Sequence, residues 1–507
     1  MDVERLMDEG AERLDEQDIV RRIWEKDHTV WGEDPTEITD RLGWLTVHES
    51  MRQHVEDLRT FAESCASDGL TTAVLAGMGG SSLAPEVLRK TFGVADGMLD
   101  LIVLDTTHPD QILAVERSLD LSKTLFIISS KSGTTTETNS HFAYFWDKVR
   151  NGSQFIAITD PGTPLEELAA EHGFRRTFLN PADIGGRYSA LSYFGLVPGA
   201  LIGVDLEGLL DRAAEFARVC RVPARRGNTG AALGSIMGLT ALAGRDKLTL
   251  VLSDEIRSFG YWVEQLLAES TGKGGKGIVP IEGEDVGPPG VYGDDRVFVT
   301  LRDANTPEAS GVDELLETGQ AVAGFHVRDR LELGALFFYW EFATAVAGHI
   351  LGINPFDQPN VQEAKDATKE VLESGKEDDP GFDDLPPLLD QVRPGDYVSI
   401  QAYLARSPET ERELHDVRMK LRDQLKVATT VGFGPRFLHS TGQLHKGGPD
   451  TGVFIQIVEP PNEDAAIPGK PYSFGELLAA QATGDLKSLR AHGRRVARVS
   501  RAALDAV

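Results

Sequence analysis

The chain has 507 residues, of which 79 are acidic and 51 are Lys or Arg, a formal charge of −28. Such an excess of negative charge repels phosphate backbones and anionic lipid surfaces, and so excludes a general nucleic-acid or membrane-surface binder. Two cysteines, Cys65 and Cys220, build neither a disulfide framework nor a paired-cysteine metal site, and the length suits about three to four domains.

Residues 1–60 read as an amphipathic helical arm, with Leu6, Ile19, Ile23 and Trp24 at helical spacings. The arm lacks the basic-then-apolar order of a secretion signal. The longest apolar stretch, 331–352, carries Glu332, Glu341 and His349, which a spanning helix rarely tolerates. The expectation is a cytoplasmic protein with no membrane partner.

Residues 61–225 alternate strand and helix. Apolar runs at 72–75, 99–104, 124–128 and 155–158 are each followed by a polar turn and a helical pattern. That spacing predicts a parallel sheet with helices on both faces. Residues 226–374 predict a second such domain. It has a helix at 229–243, a strand at 248–252, a helix at 261–270, strands near 277–281 and 297–301, and an apolar helix at 331–351. Residues 375–396, rich in Asp, Pro and Gly, read as a linker. Residues 397–507 predict a small α/β unit, with strands at 397–404 and 453–458 and a helix at 409–425. The fold class is therefore α/β: two successive doubly wound parallel-sheet domains, an N-terminal helical arm and a small C-terminal α/β unit.

Two strand-to-helix loops carry chemistry. Gly77-Met78-Gly79-Gly80-Ser81-Ser82 lets a ligand approach the backbone at a helix start. It departs from the dinucleotide fingerprint, because Ser82 stands where glycine or alanine is needed, and this disfavours a nicotinamide-dependent dehydrogenase. Ser129-Ser130-Lys131-Ser132-Gly133-Thr134-Thr135-Thr136 packs six hydroxyls and a lysine before a helix. Capping needs one hydroxyl, so the surplus points to a phosphate monoester.

Together the two loops resemble a sugar isomerase (SIS) domain. Three further motifs resemble the glucose-6-phosphate isomerase family: Asp183-Ile184-Gly185-Gly186-Arg187-Tyr188-Ser189, Gln265-Leu266-Leu267-Ala268-Glu269-Ser270-Thr271-Gly272-Lys273, and Asn354-Pro355-Phe356-Asp357-Gln358 continuing to Lys365. All five stand in the family's order over residues 70–365. The nearest likeness is to the isomerase half of fused transaldolase–glucose-6-phosphate isomerases.

The resemblance implies two SIS-type domains and a phosphosugar substrate, with glucose 6-phosphate and fructose 6-phosphate interconverted through a cis-enediolate. Ser81, Ser130, Lys131, Ser132 and Thr135 would hold the phosphate, and Gln265 and Gln358 the sugar. Glu269 would move the proton between C2 and C1, as a carboxylate beside carbon can. Arg187, always charged, would hold the enediolate. Lys365 and a histidine would open the ring. No metal and no organic cofactor is implied, and a homodimer is.

The sequence departs from the family in two places. Asn360 and Gln362 replace a small residue and a glutamate, with Glu363 displaced by one. Between Glu269 and the Asp-Gln motif stand only His326 and His349, and the better likeness to the family's histidine segment lies downstream, at Phe437-Leu438-His439-Ser440-Thr441-Gly442-Gln443-Leu444-His445-Lys446-Gly447-Gly448-Pro449. From this segment His445 is the first choice for ring opening and His439 the second, with His326 as the other candidate. Two alternative functions stand beside the isomerase. One also accepts mannose 6-phosphate. The other is a non-catalytic SIS phosphosugar sensor, which need not keep Glu269, Arg187 and Lys365 together.

Overall fold

The computed structural model describes residues 3–303, 311–374 and 380–507. Its frame is three parallel sheets. The first holds β1 (Thr72–Ala76), β2 (Asp100–Leu104), β3 (Thr124–Ser129), β4 (Phe155–Thr159) and β5 (Arg176–Leu179). The second holds β6 (Lys247–Leu252), β7 (Val279–Ile281), β8 (Arg296–Asp303) and β9 (Ala321–Val327). The third holds β10 (Tyr397–Tyr403), β11 (Ala428–Phe433), β12 (Gly452–Val458) and β13 (Arg495–Val499).

All three share one winding. The strand orders are β2-β1-β3-β4-β5, β7-β6-β8-β9 and β11-β10-β12-β13. In each, the chain leaves the first strand to one side and returns on the other, which opens a crevice at the carboxyl ends of the first and third strands. β3, β4 and the inner part of β1 are buried on both faces, as a sheet covered by helices on both sides requires.

The helical arm is part of the core. Helix Val3–Glu16 lies along helix Thr229–Leu242, and Gly10 permits the approach: a Cβ there would stand 2.3 Å from the Ser235 Cβ. Helix Leu333–Leu351 packs on the same helix and on Leu206–Val219. It is buried nearly throughout and reads as apolar all round for that reason. Among the described residues no helix is long and apolar enough to cross a membrane.

Three details refine the expected organisation. The break at 60/61 falls inside helix Val55–Ser67. The described part of the linker is tied down: it carries helix Pro386–Leu389, and Leu385 and Leu388 are buried against Val398 and Ile400 of the third sheet. The C-terminal unit is a full four-stranded sheet, closed by the long helix Phe474–Ala491.

Candidate active site

The crevice of the first sheet lies between β1 and β3, and the two chemical loops leave these strands. The glycine loop is where three parts of the chain converge. Gly79 has φ +53, and a Cβ there would meet the His439 carbonyl oxygen at 2.6 Å and the Gln265 Nε2 at 2.8 Å. A Cβ on Gly80 would stand 2.1 Å from the carbonyl oxygen of Gly186. Backbone cannot yield as a side chain does. Gly80→Ala is therefore expected to destabilise the fold by about 1–3 kcal/mol and to lower kcat by pushing Arg187 out of line. Thermal unfolding and a rate assay on the folded protein check both effects.

The hydroxyl loop opens helix Thr136–Val149. Ser130 Oγ lies 2.9 Å from Thr135 Oγ1 and accepts from the Gly133 N–H at 3.1 Å, while Ser132 Oγ lies 2.9 Å from Thr134 Oγ1. Thr135 is the N-cap, yet its side chain makes no capping bond, so the first N–H groups of the helix are not taken up by a cap. The Thr138 hydroxyl is buried without a partner at the same end. Ser81 is buried beside the loop, its carbonyl accepting from Ser129 Oγ. Lys131, expected on the phosphate, is turned aside: its ammonium pairs with Asp160 and lies 3.3 Å from the Ala182 carbonyl oxygen.

Helix Phe259–Thr271 carries Gln265 and Glu269 one turn apart, and Gln265 Nε2 donates to Glu269 Oε2 at 3.1 Å. Arg187 faces the same oxygen at 3.6 Å. It is 3% exposed, and four of its five N–H groups are bonded within the protein. It donates to Ser270 Oγ at 2.8 Å, to the carbonyls of Pro355 and Asp357 at 2.7 and 2.9 Å, and to Gln358 Oε1 at 3.3 Å. One side chain thus joins the Gly-Gly-Arg turn, the Glu269 helix and the Asp-Gln loop. Lys273 holds that loop from the other side, donating to the Asn354 carbonyl and Asp357 Oδ1, both at 2.5 Å. Burial and the nearby Arg187 charge bring Lys273 down to about 7.

Burial raises the Glu269 carboxyl above the ordinary glutamate value, against the opposing pull of Arg187, His439, Gln265 and Lys273. In the base's role expected from the sequence, Glu269 must be ionised to act. The rate is therefore expected to fall on the acid side at a pH above about 4.3, the unperturbed value. A profile of kcat/KM against pH checks the sign; a limb at or below that value contradicts it.

The two candidate histidines of the downstream segment part company. His439 Nε2 lies 2.9 Å from Glu137 Oε1, and its backbone carbonyl accepts from Gln265 Nε2 at 2.9 Å, beside Glu269. His445, the first choice from sequence, is turned into the third unit's core. Its Nδ1 faces Gln401 Nε2 at 3.1 Å and its ring packs between Phe437 and Phe454. Burial holds its pKa well below the ordinary histidine value. The cause is one of period: His445 lies on the inner face of the short helix Gly442–Gly447, whereas His439 ends the turn before it. His326 is exposed on the edge strand β9, and His349 bonds the Val30 carbonyl at 2.7 Å.

Lys365 is exposed on helix Val361–Ser374, and its charge bears on Glu137. Gln362 points outward to Asp366 at 2.8 Å, while Glu363 reaches His492 at 2.6 Å. Asn360 docks on Gln443, which also donates to the Gly272 carbonyl. Sequence reasoning gives Glu137 no part, although it follows directly on the hydroxyl loop. The signal available is an acid in the first turn of a helix whose start otherwise collects hydroxyls. His439, with the Lys365 charge in support, holds this carboxylate down at about 2 although burial opposes it. Among the described residues no group of three or more His, Cys, Asp and Glu side chains is placed to hold a metal ion.

The chain is similar to known proteins over most of its length. It is 29% identical over 390 residues to a glucose-6-phosphate isomerase of Rubrobacter xylanophilus, covering 66% of this chain and 89% of that one. It is 27% identical over 439 residues to a glucose-6-phosphate isomerase of Staphylococcus saprophyticus, covering 75% and 96%. Among solved structures, a hypothetical protein from Thermus thermophilus superposes with TM-score 0.61 at 26% identity, over 72% of this chain and 97% of that one. A glucose-6-phosphate isomerase from Chlamydia trachomatis shares the fold with TM-score 0.60 at 19% identity, over 74% and 87%. Residues 29–284, half the chain and the part that carries the two strand-to-helix loops, Arg187 and Glu269, match the phosphoglucose isomerase family model, and the chain belongs to that family.

Proposed function

We propose that this protein is an aldose–ketose isomerase that interconverts glucose 6-phosphate and fructose 6-phosphate. The observation that carries the reading is the pairing of Glu269 with Arg187 at one end of a crevice whose other groups are His439 and Glu137. The substrate's phosphate sits on the Ser130–Thr135 hydroxyls, Ser81 and the uncapped helix start. Ser132 stays at the rim, and Lys131 joins only by leaving Asp160. Gln265 and Gln358 border the sugar.

His439 moves the proton between the ring oxygen and the anomeric hydroxyl, with Lys365 in support and Glu137 fixing the imidazole. We give this role to His439 in place of His445, whose Nδ1 faces Gln401 and whose ring packs between Phe437 and Phe454. In the opened aldose, Glu269 takes the C2 proton and returns it to C1. Meanwhile a proton passes from O2 to O1, and the negative charge of the enediolate rests on Arg187. The balance is an internal redox exchange between adjacent carbons, so no outside oxidant enters. The burial of Glu269 suits this role, because a raised pKa makes the carboxylate a stronger base.

An enzyme that also accepts mannose 6-phosphate uses the same residues, and a competition assay with that sugar decides between the two. A phosphosugar sensor would bind fructose 6-phosphate without turning it over. We further read the protein as cytoplasmic and as a homodimer. The test of the main reading is the coupled formation of glucose 6-phosphate from fructose 6-phosphate; a folded protein without turnover sinks it.

A further inference from the structure

We propose that Gln481, on the C-terminal helix Phe474–Ala491, is a positioning residue for ring opening: it locks the Glu137 carboxylate in the orientation that holds His439. This rests on the isomerase reading and deepens it.

The geometry is a directional chain of three hydrogen bonds. Thr107 Oγ1 donates to Gln481 Oε1 at 2.6 Å, Gln481 Nε2 donates to Glu137 Oε1 at 2.7 Å, and His439 Nε2 meets the same oxygen at 2.9 Å. An ionised carboxylate only accepts. The amide must therefore turn its nitrogen to Glu137, which leaves its carbonyl for the Thr107 hydroxyl. No second arrangement satisfies all three groups. Both Thr107 and Gln481 are buried, so water does not compete freely for either bond.

The consequence falls on the imidazole. With Nε2 committed as a donor to Glu137, the neutral ring carries its lone pair on Nδ1, the nitrogen left to exchange a proton with a sugar oxygen. A carboxylate free to rotate would release the ring and its tautomer together. Other ionisable groups face Glu137 as well: Lys365 from helix Val361–Ser374, His141 from its own helix, Tyr403 from β10 and Tyr472 ahead of the C-terminal helix. None of these supplies the directional lock.

The same helix also spaces Lys365. Gly484 lies against Thr368, and a Cβ there would stand 2.9 Å from the Thr368 backbone nitrogen. Helix Phe474–Ala491 therefore bears on both ring-opening groups, on Glu137 through Gln481 and on the Lys365 helix through Gly484. Gln481 thereby couples the third sheet's closing helix to Thr107, which follows β2 of the first sheet.

The test uses the full chain with Gln481→Leu and Thr107→Val. Two rates are read: isomerisation of fructose 6-phosphate, and exchange between its α and β ring anomers by NMR, which reports ring opening and closing alone. In Gln481→Leu both rates per folded molecule should fall together by about tenfold, with KM little changed. Thr107→Val should fall in the same direction by less. A purely structural amide would lower the unfolding temperature and leave anomer exchange per folded molecule as it was; that result overturns the proposal. If Gln481→Leu does not fold, Thr107→Val decides, and unchanged anomer exchange there overturns it equally. Absence of any wild-type turnover sinks the isomerase reading and this inference with it, whereas normal wild-type turnover with unaffected variants sinks this inference alone.

Discussion

Glu269→Gln is expected to lower kcat for isomerisation by about 10³-fold, within the range that a positioned acid–base group contributes. The substitution keeps the shape of the side chain. Gln265 still has an amide oxygen to bond, and Arg187 keeps its bonds to Ser270, Pro355, Asp357 and Gln358, so the buried guanidinium is not stranded. What is lost is the lone pair that takes the C2 proton. Ring opening does not use it, so exchange between fructose 6-phosphate anomers should continue near the wild-type rate. The pair of measurements separates the two chemical steps. Unchanged isomerisation in the folded variant removes Glu269 from the mechanism.

His439→Asn is expected to lower isomerisation by about 10²-fold, with anomer exchange falling in parallel. Here the loss lies in ring opening, and substrate already in the open-chain form should be turned over with less impairment. His445→Asn gives the contrast. That ring touches Gln401, Phe437 and Phe454 in the third unit's core. Truncating it leaves a buried amide short of a partner and opens space, which costs stability of about 1–3 kcal/mol but leaves kcat of the folded protein intact. Reversal of the two phenotypes, with His445 variants inactive and His439 variants normal, would restore the choice made from sequence.

The strands of the first sheet were readable because they are short apolar runs between polar turns, and burial by helices on both faces demands such runs. Arg176–Leu179 was not, since an edge strand that begins on arginine and is half exposed has no such signature. Ala321–Val327 and Arg495–Val499 escaped for the same reason, as edge strands carrying His326, Arg495 and Arg498. In the site, Arg187, Glu269, Gln265 and Gln358 were legible as motifs, and the structure gathers them through one guanidinium. The partner of the histidine was not. Glu137 and His439 are 302 residues apart, and Gln481 lies 344 from Glu137. No local spacing records a contact of that range. Lys131 was legible as a loop lysine, but its ion-pair partner was not: Asp160 arrives from the end of β4.

Those separations also bear on how the protein is born. Chains are made from the N-terminus, and domains tend to fold as they emerge. The first two sheets can close around Glu269 and Arg187 while the third is still being synthesised. The half of the crevice that opens the sugar cannot. It waits for residue 439, and its lock waits for residue 481, after all but one of the thirteen strands among the described residues have been made. On the proposed mechanism the nascent chain until then holds a base beside a guanidinium without the groups that open the sugar, so full turnover waits for helix Phe474–Ala491 to dock.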